Sequence, residues 1–146
     1  MKISEIQVSY KSRINDTIYA KDSKNAHKLL LASWDKNLIE LQEEFKILLL
    51  NRASMVLGIY SLSKGGTAST IVDAKLVFSV ALKTNASSLI LAHNHPSGNT
   101  NPSQSDIILT KKLVSASKLL DIQILDHLII TLNGYESLAD SNLVVF

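Results

Sequence analysis

Two histidines and an aspartate within a short segment have the residue types and spacing of a metal site. His93 and His95 are two residues apart at the end of the apolar run Leu89–Ala92, and Asp106 follows further along the chain. Alternate residues of a strand point to the same side, so the two imidazoles project together while Asn94 points the other way. Two imidazoles held in this way form a bidentate clamp for a metal such as zinc.

The segment after these histidines predicts how Asp106 reaches them. Pro96 ends the strand, and Pro102-Ser103 opens a helix in which Asp106 lies one turn inside, facing back toward the loop. Three protein ligands leave a fourth position open, which is typical of catalytic rather than structural zinc. The simpler interpretations are a polar strand end and a capping box in Ser103-x-x-Asp106. The capping box is compatible with a metal site, because a capped helix start would aim Asp106 at the histidines.

Apolar periodicity and turn residues predict the elements that must position this segment. Helices and strands alternate along the chain, which predicts an α/β (or α+β) fold with a mixed sheet flanked by helices. Residues 1–20 predict an arm or an edge strand, and a last strand is expected at Leu143–Phe146. The other predicted elements are helices over about Asp22–Asp35 (capped by Asp22 or Ser23), from Asp73 and over about Ser103–Leu120, and strands over Glu43–Asn51, Met55–Leu62, Leu89–Ala92 and Ile124–Leu132 (one or two).

Composition limits the class of protein. The 146 residues fit one domain, with an arm and helix in residues 1–42 and a core over about 43–140. The absence of cysteine excludes disulfides, thiolate metal sites and cysteine nucleophiles. No apolar run is long enough for a signal peptide or a membrane helix, which predicts a cytoplasmic protein without a membrane partner. The net charge of +2 comes from 15 basic and 13 acidic residues, without the basic stripe of a nucleic-acid binder.

The segment resembles a known family. The pattern His-x-His, seven residues, Ser-x-x-Asp resembles the JAMM motif of JAB/MPN metallopeptidases, and Leu91–Gly98 and Leu125–Ile129 resemble their RadC branch. The likeness runs from about Glu43 to Asp140. It implies a JAB/MPN-like fold, related in architecture to cytidine deaminase-like folds. It also implies one zinc ion, and peptidase or isopeptidase activity on a protein, a peptide or a ubiquitin-like conjugate. The implied zinc ligands are His93, His95 and Asp106.

The resemblance also implies a catalytic glutamate on an early strand and a catalytic serine. Glu43 and Glu44 are the candidates for the glutamate, and strand alternation distinguishes them. Glu43 shares a face with Phe45, which predicts the interior, whereas Glu44 shares a face with Lys46, which predicts solvent at that end. We therefore predict Glu43 as the general base, with Glu44 or two ordinary solvated charges as alternatives. Ser103 would donate to the developing oxyanion, a role expected to compete with its helix cap.

Other interpretations stay open at this point. His27 is expected at the surface, and His127, beside Asp126, is either a support for a ligand or a structural histidine. A zinc deaminase is disfavoured because its His-x-Glu and Pro-Cys-x-x-Cys patterns are absent. A metal-dependent nuclease and a DNA-repair or mobile-element accessory protein remain, although residues 1–42 contain no recognisable helix-hairpin-helix region of the RadC type. Residues 3–10 or 143–146 would offer an edge for a dimer.

Overall fold

A computed structural model describes residues 1–12, 17–66 and 70–146 of the chain. These residues form three helices and a single five-stranded sheet. Residues 13–16 of the predicted arm, and residues 67–69 of the loop before the second helix, lie outside the described residues. In chain order the elements are α1 (Ser23–Ser33), β1 (Glu44–Leu50), β2 (Val56–Lys64), α2 (Ala74–Lys83), β3 (Ser88–Asn94), α3 (Gln104–Lys118), β4 (Gln123–Thr131) and β5 (Gly134–Ser137).

The sheet is mixed, with the strand order β2-β1-β3-β4-β5. β3 and β4 run parallel and are joined by α3, whereas the other neighbours are antiparallel. Apolar residues of α1 cover one face of the sheet, and those of α2 and α3 cover the other. The α/β class with helices on both sides of a mixed sheet is therefore confirmed.

The two central strands are buried along their whole length, which explains their near-continuous apolar sequences. In β1, Phe45 and Ile47 pack toward α2 and α3, while Leu48 and Leu50 pack toward α1. The same alternation in β3 sends its odd-numbered side chains toward α2 and α3. His93 therefore lies on the α3 side of the sheet and Asn94 on the α1 side.

The prediction that Glu44 and Lys46 face solvent is wrong. Both residues are buried, at 8% and 5% exposure, because α1 and the segment that follows it cover that face. Lys46 Nζ lies 3.7 Å from Glu44 Oε1 and 4.6 Å from the centre of the Trp34 ring, and it donates to Ser33 O at 2.7 Å. A buried ammonium group is tolerated here because it is paired and hydrogen-bonded.

The end of the chain differs from expectation. Residues 143–146 form no strand: Asn142 adopts a positive φ of 53°, and Val144 packs against Ile129 and Leu138. Residues 1–12 form no strand, in agreement with the first of the two alternatives, an arm, and Tyr10 donates its hydroxyl hydrogen bond to Leu57 O. Within the described ranges, no helix is both long enough and apolar enough to span a membrane.

Candidate metal site

Four side chains converge where β3 ends. His93 lies in β3, His95 follows it, Asp106 lies in the first turn of α3, and Glu43 immediately precedes β1. Because β1 runs antiparallel to β3, its beginning meets the end of β3, and Phe45 pairs with His93. One ligand atom from each of the four residues lies within 4.8 Å of all the others. The structure thus brings together the three predicted metal ligands and the predicted general base.

Three of these groups have the spacing of metal ligands. His93 Nε2 lies 3.0 Å from His95 Nε2 and 3.4 Å from Asp106 Oδ1, and His95 Nε2 lies 3.3 Å from Asp106 Oδ2. Ligand atoms about 2.0–2.1 Å from a tetrahedral zinc ion would lie about 3.3 Å apart. Glu43 Oε1 is more distant, at 3.8 Å from His93 Nε2. The donor set and its spacing fit a small divalent metal ion.

The first turn of α3 aims Asp106 at the histidines. Ser103 caps the helix: its Oγ accepts from the Asp106 N–H at 3.1 Å, and Asp106 Oδ2 accepts from the Ser103 N–H at 2.8 Å. The predicted capping box is therefore present, and it fixes the carboxylate through its backbone neighbour. The expected competition between two roles of Ser103 does not arise, because the cap uses an acceptor lone pair of the hydroxyl and leaves its proton free to be donated.

A buried hydrogen-bonded chain determines which nitrogen of His93 carries the proton. Thr110 Oγ1 donates to Asp106 O at 2.6 Å and lies 2.6 Å from His127 Nδ1, while His127 Nε2 lies 2.7 Å from His93 Nδ1. Since the Thr110 proton goes to a carbonyl, Thr110 accepts from His127 Nδ1–H, and His127 Nε2 must then accept from His93 Nδ1–H. This order leaves a lone pair on His93 Nε2, the atom that faces the other ligands.

His95 is oriented in the same sense by the loop that follows it. Its Nδ1 lies 2.7 Å from Asn99 O, an acceptor only, so Nδ1 carries the proton and Nε2 has the free lone pair. In their neutral form, both histidines therefore present an unprotonated Nε2 to Asp106 without any rearrangement of their rings.

The surroundings drive the acidities of the two carboxyl groups in opposite directions. Burial raises the pKa of Glu43, and the neighbouring His93 and His95 offset only part of that effect. Burial also acts to raise the pKa of Asp106. The hydrogen bonds that the two histidines donate from Nε2 when they carry a second proton, and the hydrogen bond from the Ser103 N–H, outweigh burial and hold that pKa far below its usual range. The Asp106 carboxyl group thus stays ionised, while that of Glu43 can hold a proton nearer neutral pH.

The structure distinguishes the two interpretations of His127 and corrects the prediction for His27. His127 contacts the candidate ligand His93 and is hydrogen-bonded to Thr110 on its other side. Its neighbour Asp126 does not bind the ring: that carboxylate accepts from Ser137 Oγ and from the backbone N–H of His127 and Ala139. Burial lowers the pKa of His127 well below its usual value, so the ring stays neutral and can accept a proton from His93. His27 is half-buried rather than superficial and stacks on the Tyr135 ring at 4.3 Å between centroids.

The site opens into a cleft of about 690 Å³. His95 and Asp106 are partly accessible from it, with 17% and 15% of their side chains exposed, while His93 is buried behind them at 2%. Among the described residues that line the cleft, none is a lysine or an arginine. Most are small and polar or apolar: Thr70, Val72, Pro96, Ser97, Asn99, Asn101, Ser103, Ser105 and Leu109.

A family model described as a RadC-like JAB domain matches residues 20–143, which include every residue of the site. The chain belongs to the RadC-like JAB domain family. It is 52% identical over 101 residues to a UPF0758 protein of Flavobacterium johnsoniae, covering 69% of this chain and 44% of that protein. It is 47% identical over 103 residues to a UPF0758 protein of Alkaliphilus metalliredigens, covering 70% and 44%. The chain therefore spans less than half the length of these RadC-like relatives.

Thr110 and Asn94 belong to the surroundings of the RadC-like site and were not predicted from the sequence to support it. Thr110 stands one helical turn after Asp106, on the same face of α3, and is fully buried. Asn94 is a fully buried amide in a strand that is otherwise mostly apolar. In both cases the sequence does contain a signal, which is a polar residue at a position where the pattern predicts an apolar one. Such a residue needs hydrogen-bond partners when it is buried.

Proposed function

We propose that this RadC-like JAB domain is a zinc-dependent hydrolase that cleaves peptide or isopeptide bonds. The observation that carries the proposal is the set of four converging side chains, of which three have ligand spacing and the fourth is a buried carboxyl group just beyond them. His93, His95 and Asp106 would hold the ion, and a His₂-carboxylate set with one open position is typical of catalytic zinc. Zinc supplies Lewis acidity, which polarises a substrate carbonyl and lowers the pKa of water toward about 7.

Glu43 is the proposed general base. Its side chain is 8% exposed, and its Oε1 lies 3.8 Å from His93 Nε2. Burial raises the pKa of Glu43, which suits a group that must take a proton from water and release it again near neutral pH. Glu43 then delivers this proton to the leaving nitrogen. Glu44 lies on the opposite face of the sheet with Lys46 and has no comparable approach.

Ser103 is the proposed donor to the carbonyl oxygen of the substrate. It is exposed at the cleft, and its helix cap leaves the hydroxyl proton free to be donated. A single donor of this kind typically contributes about 10²–10³-fold to kcat. Ser103 would thereby act beside Asp106, whose carboxylate accepts a hydrogen bond from the backbone N–H of Ser103.

The lining of the cleft favours a polypeptide over a nucleic acid as the substrate. Phosphate contacts dominate the affinity of proteins for nucleic acids, and they come largely from lysine and arginine. The described lining residues offer neither; they offer serine, threonine and asparagine side chains, which suit the N–H and C=O groups of an extended peptide. This chemistry supports peptide or isopeptide hydrolysis rather than a nuclease built on the same ligands.

The proposal is tested by comparing Glu43→Gln with Glu44→Gln as the matched control. We expect the zinc-loaded wild type to cleave members of a quenched-fluorescent peptide library or a ubiquitin-like isopeptide conjugate, and to leave labelled DNA intact. Glu43→Gln should retain stoichiometric zinc and lose turnover, while Glu44→Gln keeps turnover. Loss of zinc from Glu43→Gln would contradict its assignment as base, and metal-dependent cleavage of DNA alone would contradict the proposed substrate class.

A further inference from the structure

Asn94 separates the two histidines in sequence but lies on the other face of the sheet, fully buried. Its carboxamide uses its whole hydrogen-bonding capacity. Oδ1 accepts from the Glu44 N–H at 2.8 Å and from Trp34 Nε1 at 3.2 Å. Nδ2 donates to Ile39 O at 2.7 Å and to Gln42 O at 2.9 Å. Both partners of the oxygen are donors and both partners of the nitrogen are acceptors, so only one orientation of the amide satisfies all four.

Two of these four bonds flank Glu43. One goes to the carbonyl of Gln42, the residue before it, and the other to the N–H of Glu44, the residue after it. The backbone of Glu43 itself pairs with the chain that leaves β2, through Glu43 N–H to Gly66 O at 3.2 Å and Gly65 N–H to Glu43 O at 2.8 Å. The peptide groups on both sides of Glu43 are therefore fixed, although Glu43 lies just outside β1.

We propose that Asn94 is a positioning residue for Glu43, and that it sets the position of this carboxylate relative to the histidines on either side of Asn94. The inference rests on the proposed role of Glu43 as general base. Residues 93 and 95 point to the metal side of the strand end, while residue 94 reaches through to the backbone of the base. The end of β3 thus places the two histidines and the base together, while Asp106 is held by the first turn of α3.

The size of the effect follows from the geometry of proton transfer. A displacement of about 1 Å at a reacting group can lower turnover by about 10²-fold. Removing the Asn94 amide would leave the Gln42 carbonyl and the Glu44 N–H without their partner, so the chain around Glu43 could shift by such a distance. His93 and His95 would stay in place, because their own hydrogen bonds go to His127 and Asn99 on the other side.

The test compares Asn94→Ala and the isosteric Asn94→Asp with Trp34→Phe in the full chain. Trp34→Phe removes one of the four bonds, but neither of the two that flank Glu43. For the Asn94 variants we expect stoichiometric zinc, an unchanged KM and a kcat lower by about 10²-fold. Trp34→Phe should stay within a few-fold of the wild type. In a Glu43→Gln background the Asn94 substitutions should have no further effect on turnover, since a residue that acts through Glu43 is not additive with it.

Two further readouts distinguish this inference from the proposed function. In metal-free protein, amide exchange of Glu44 should accelerate in Asn94→Ala, which removes the acceptor of the Glu44 N–H. A crystal structure of Asn94→Asp, which can no longer donate to Gln42 O, should show Glu43 Oε1 displaced from its 3.8 Å approach to His93 Nε2. An unmoved Glu43 in that structure would overturn the inference, whether or not the protein is a peptidase. Loss of zinc in parallel with turnover would also overturn it, because Asn94 would then support the ligands instead. Full turnover of Glu43→Gln would refute the proposed function and leave the structural readouts to decide the position of Glu43.

Discussion

Replacing Thr110 with valine should weaken metal binding, although Thr110 touches neither the proposed ion nor the substrate. Valine has nearly the shape of threonine but cannot accept a proton from His127 Nδ1. His127 can then adopt either of two tautomers. It can keep its Nδ1–H without a partner inside the protein, or it can move the proton to Nε2, where it faces His93 Nδ1 at 2.7 Å. In the second case His93 must carry its own proton on Nε2, the atom proposed to bind the metal.

The magnitude follows from burial. His127 is completely buried, so an N–H without a partner would cost about 1–3 kcal/mol. Residues that orient a metal-bound histidine typically change metal affinity by about 10–100-fold, or about 1.4–2.7 kcal/mol. We expect the second case in the metal-free protein, because it leaves His127 with an unpartnered lone pair rather than an unpartnered N–H. Metal binding then requires the proton to return to His127 Nδ1, which predicts an increase of about 10–100-fold in the zinc Kd of Thr110→Val. Thr110→Ser, which keeps the hydroxyl, is the matched control and should bind zinc within a few-fold of the wild type.

The assay is competition for zinc between each metal-free protein and a chromophoric chelator at fixed pH. Long-range nitrogen NMR of the histidine rings, recorded on the same samples, should show His127 and His93 both protonated at Nδ1 in the wild type. Denaturant unfolding of the metal-free proteins separates a general loss of stability from a loss of affinity. An Nε2-protonated His127 in the wild type, or wild-type zinc affinity in Thr110→Val despite lower stability, would refute the reasoning.

Two further predictions concern the surroundings of the site. Ser103→Gly should lower kcat by about 10²–10³-fold because the proposed oxyanion donor is lost, yet lower stability by only a few tenths of a kcal/mol, since glycine is a tolerable helix cap. Ser103→Ala should show the same kinetic loss together with a larger loss of stability, and equal kcat values for Ser103→Gly and wild type would contradict the donor role. Burial lowers the pKa of His27, so below its ordinary value of 6.5 the unfolded chain takes up this proton more readily than the folded one. Wild-type stability should therefore fall more steeply than that of His27→Gln as the pH drops from about 7.5 to 5.5; parallel profiles in denaturant unfolding would contradict this.

Local rules were sufficient for much of the site. Strand alternation placed His93 and His95 on one side, proline and serine marked the helix start, and the capping box brought Asp106 back toward the strand. The choice of Glu43 over Glu44 also followed from alternation, and the structure places Glu43 beside the histidines. These features depend on residues close together in the chain, where side-chain direction is set by the backbone.

The structural features that could not be predicted from the sequence depend on contacts between distant segments. Lys46 looked solvated because nothing local indicates that α1 and Trp34 cover it. The apolar Leu143–Phe146 was predicted as a strand, but Val144 finds a buried position against Leu138 without pairing to the sheet. The partnership of Thr110 with His127 requires α3 to lie across β4, which no spacing within either element specifies.

The difference in burial between the two halves of the site has a consequence for its local stability. His93 is buried in a central strand of the sheet, and Glu43 is buried just before the neighbouring strand β1. His95 and Asp106 instead lie on a loop and in a first helical turn, with partial exposure. Amides in buried central strands usually exchange with solvent only on global unfolding, while loops and helix ends open with much smaller free energies. One side of the site, with His93 and Glu43, thus stays in place, while the other side, with His95 and Asp106, can open locally. We therefore expect the proposed ion and the proposed peptide substrate to enter through local opening of residues 95–106, while His93 and Glu43 remain in place.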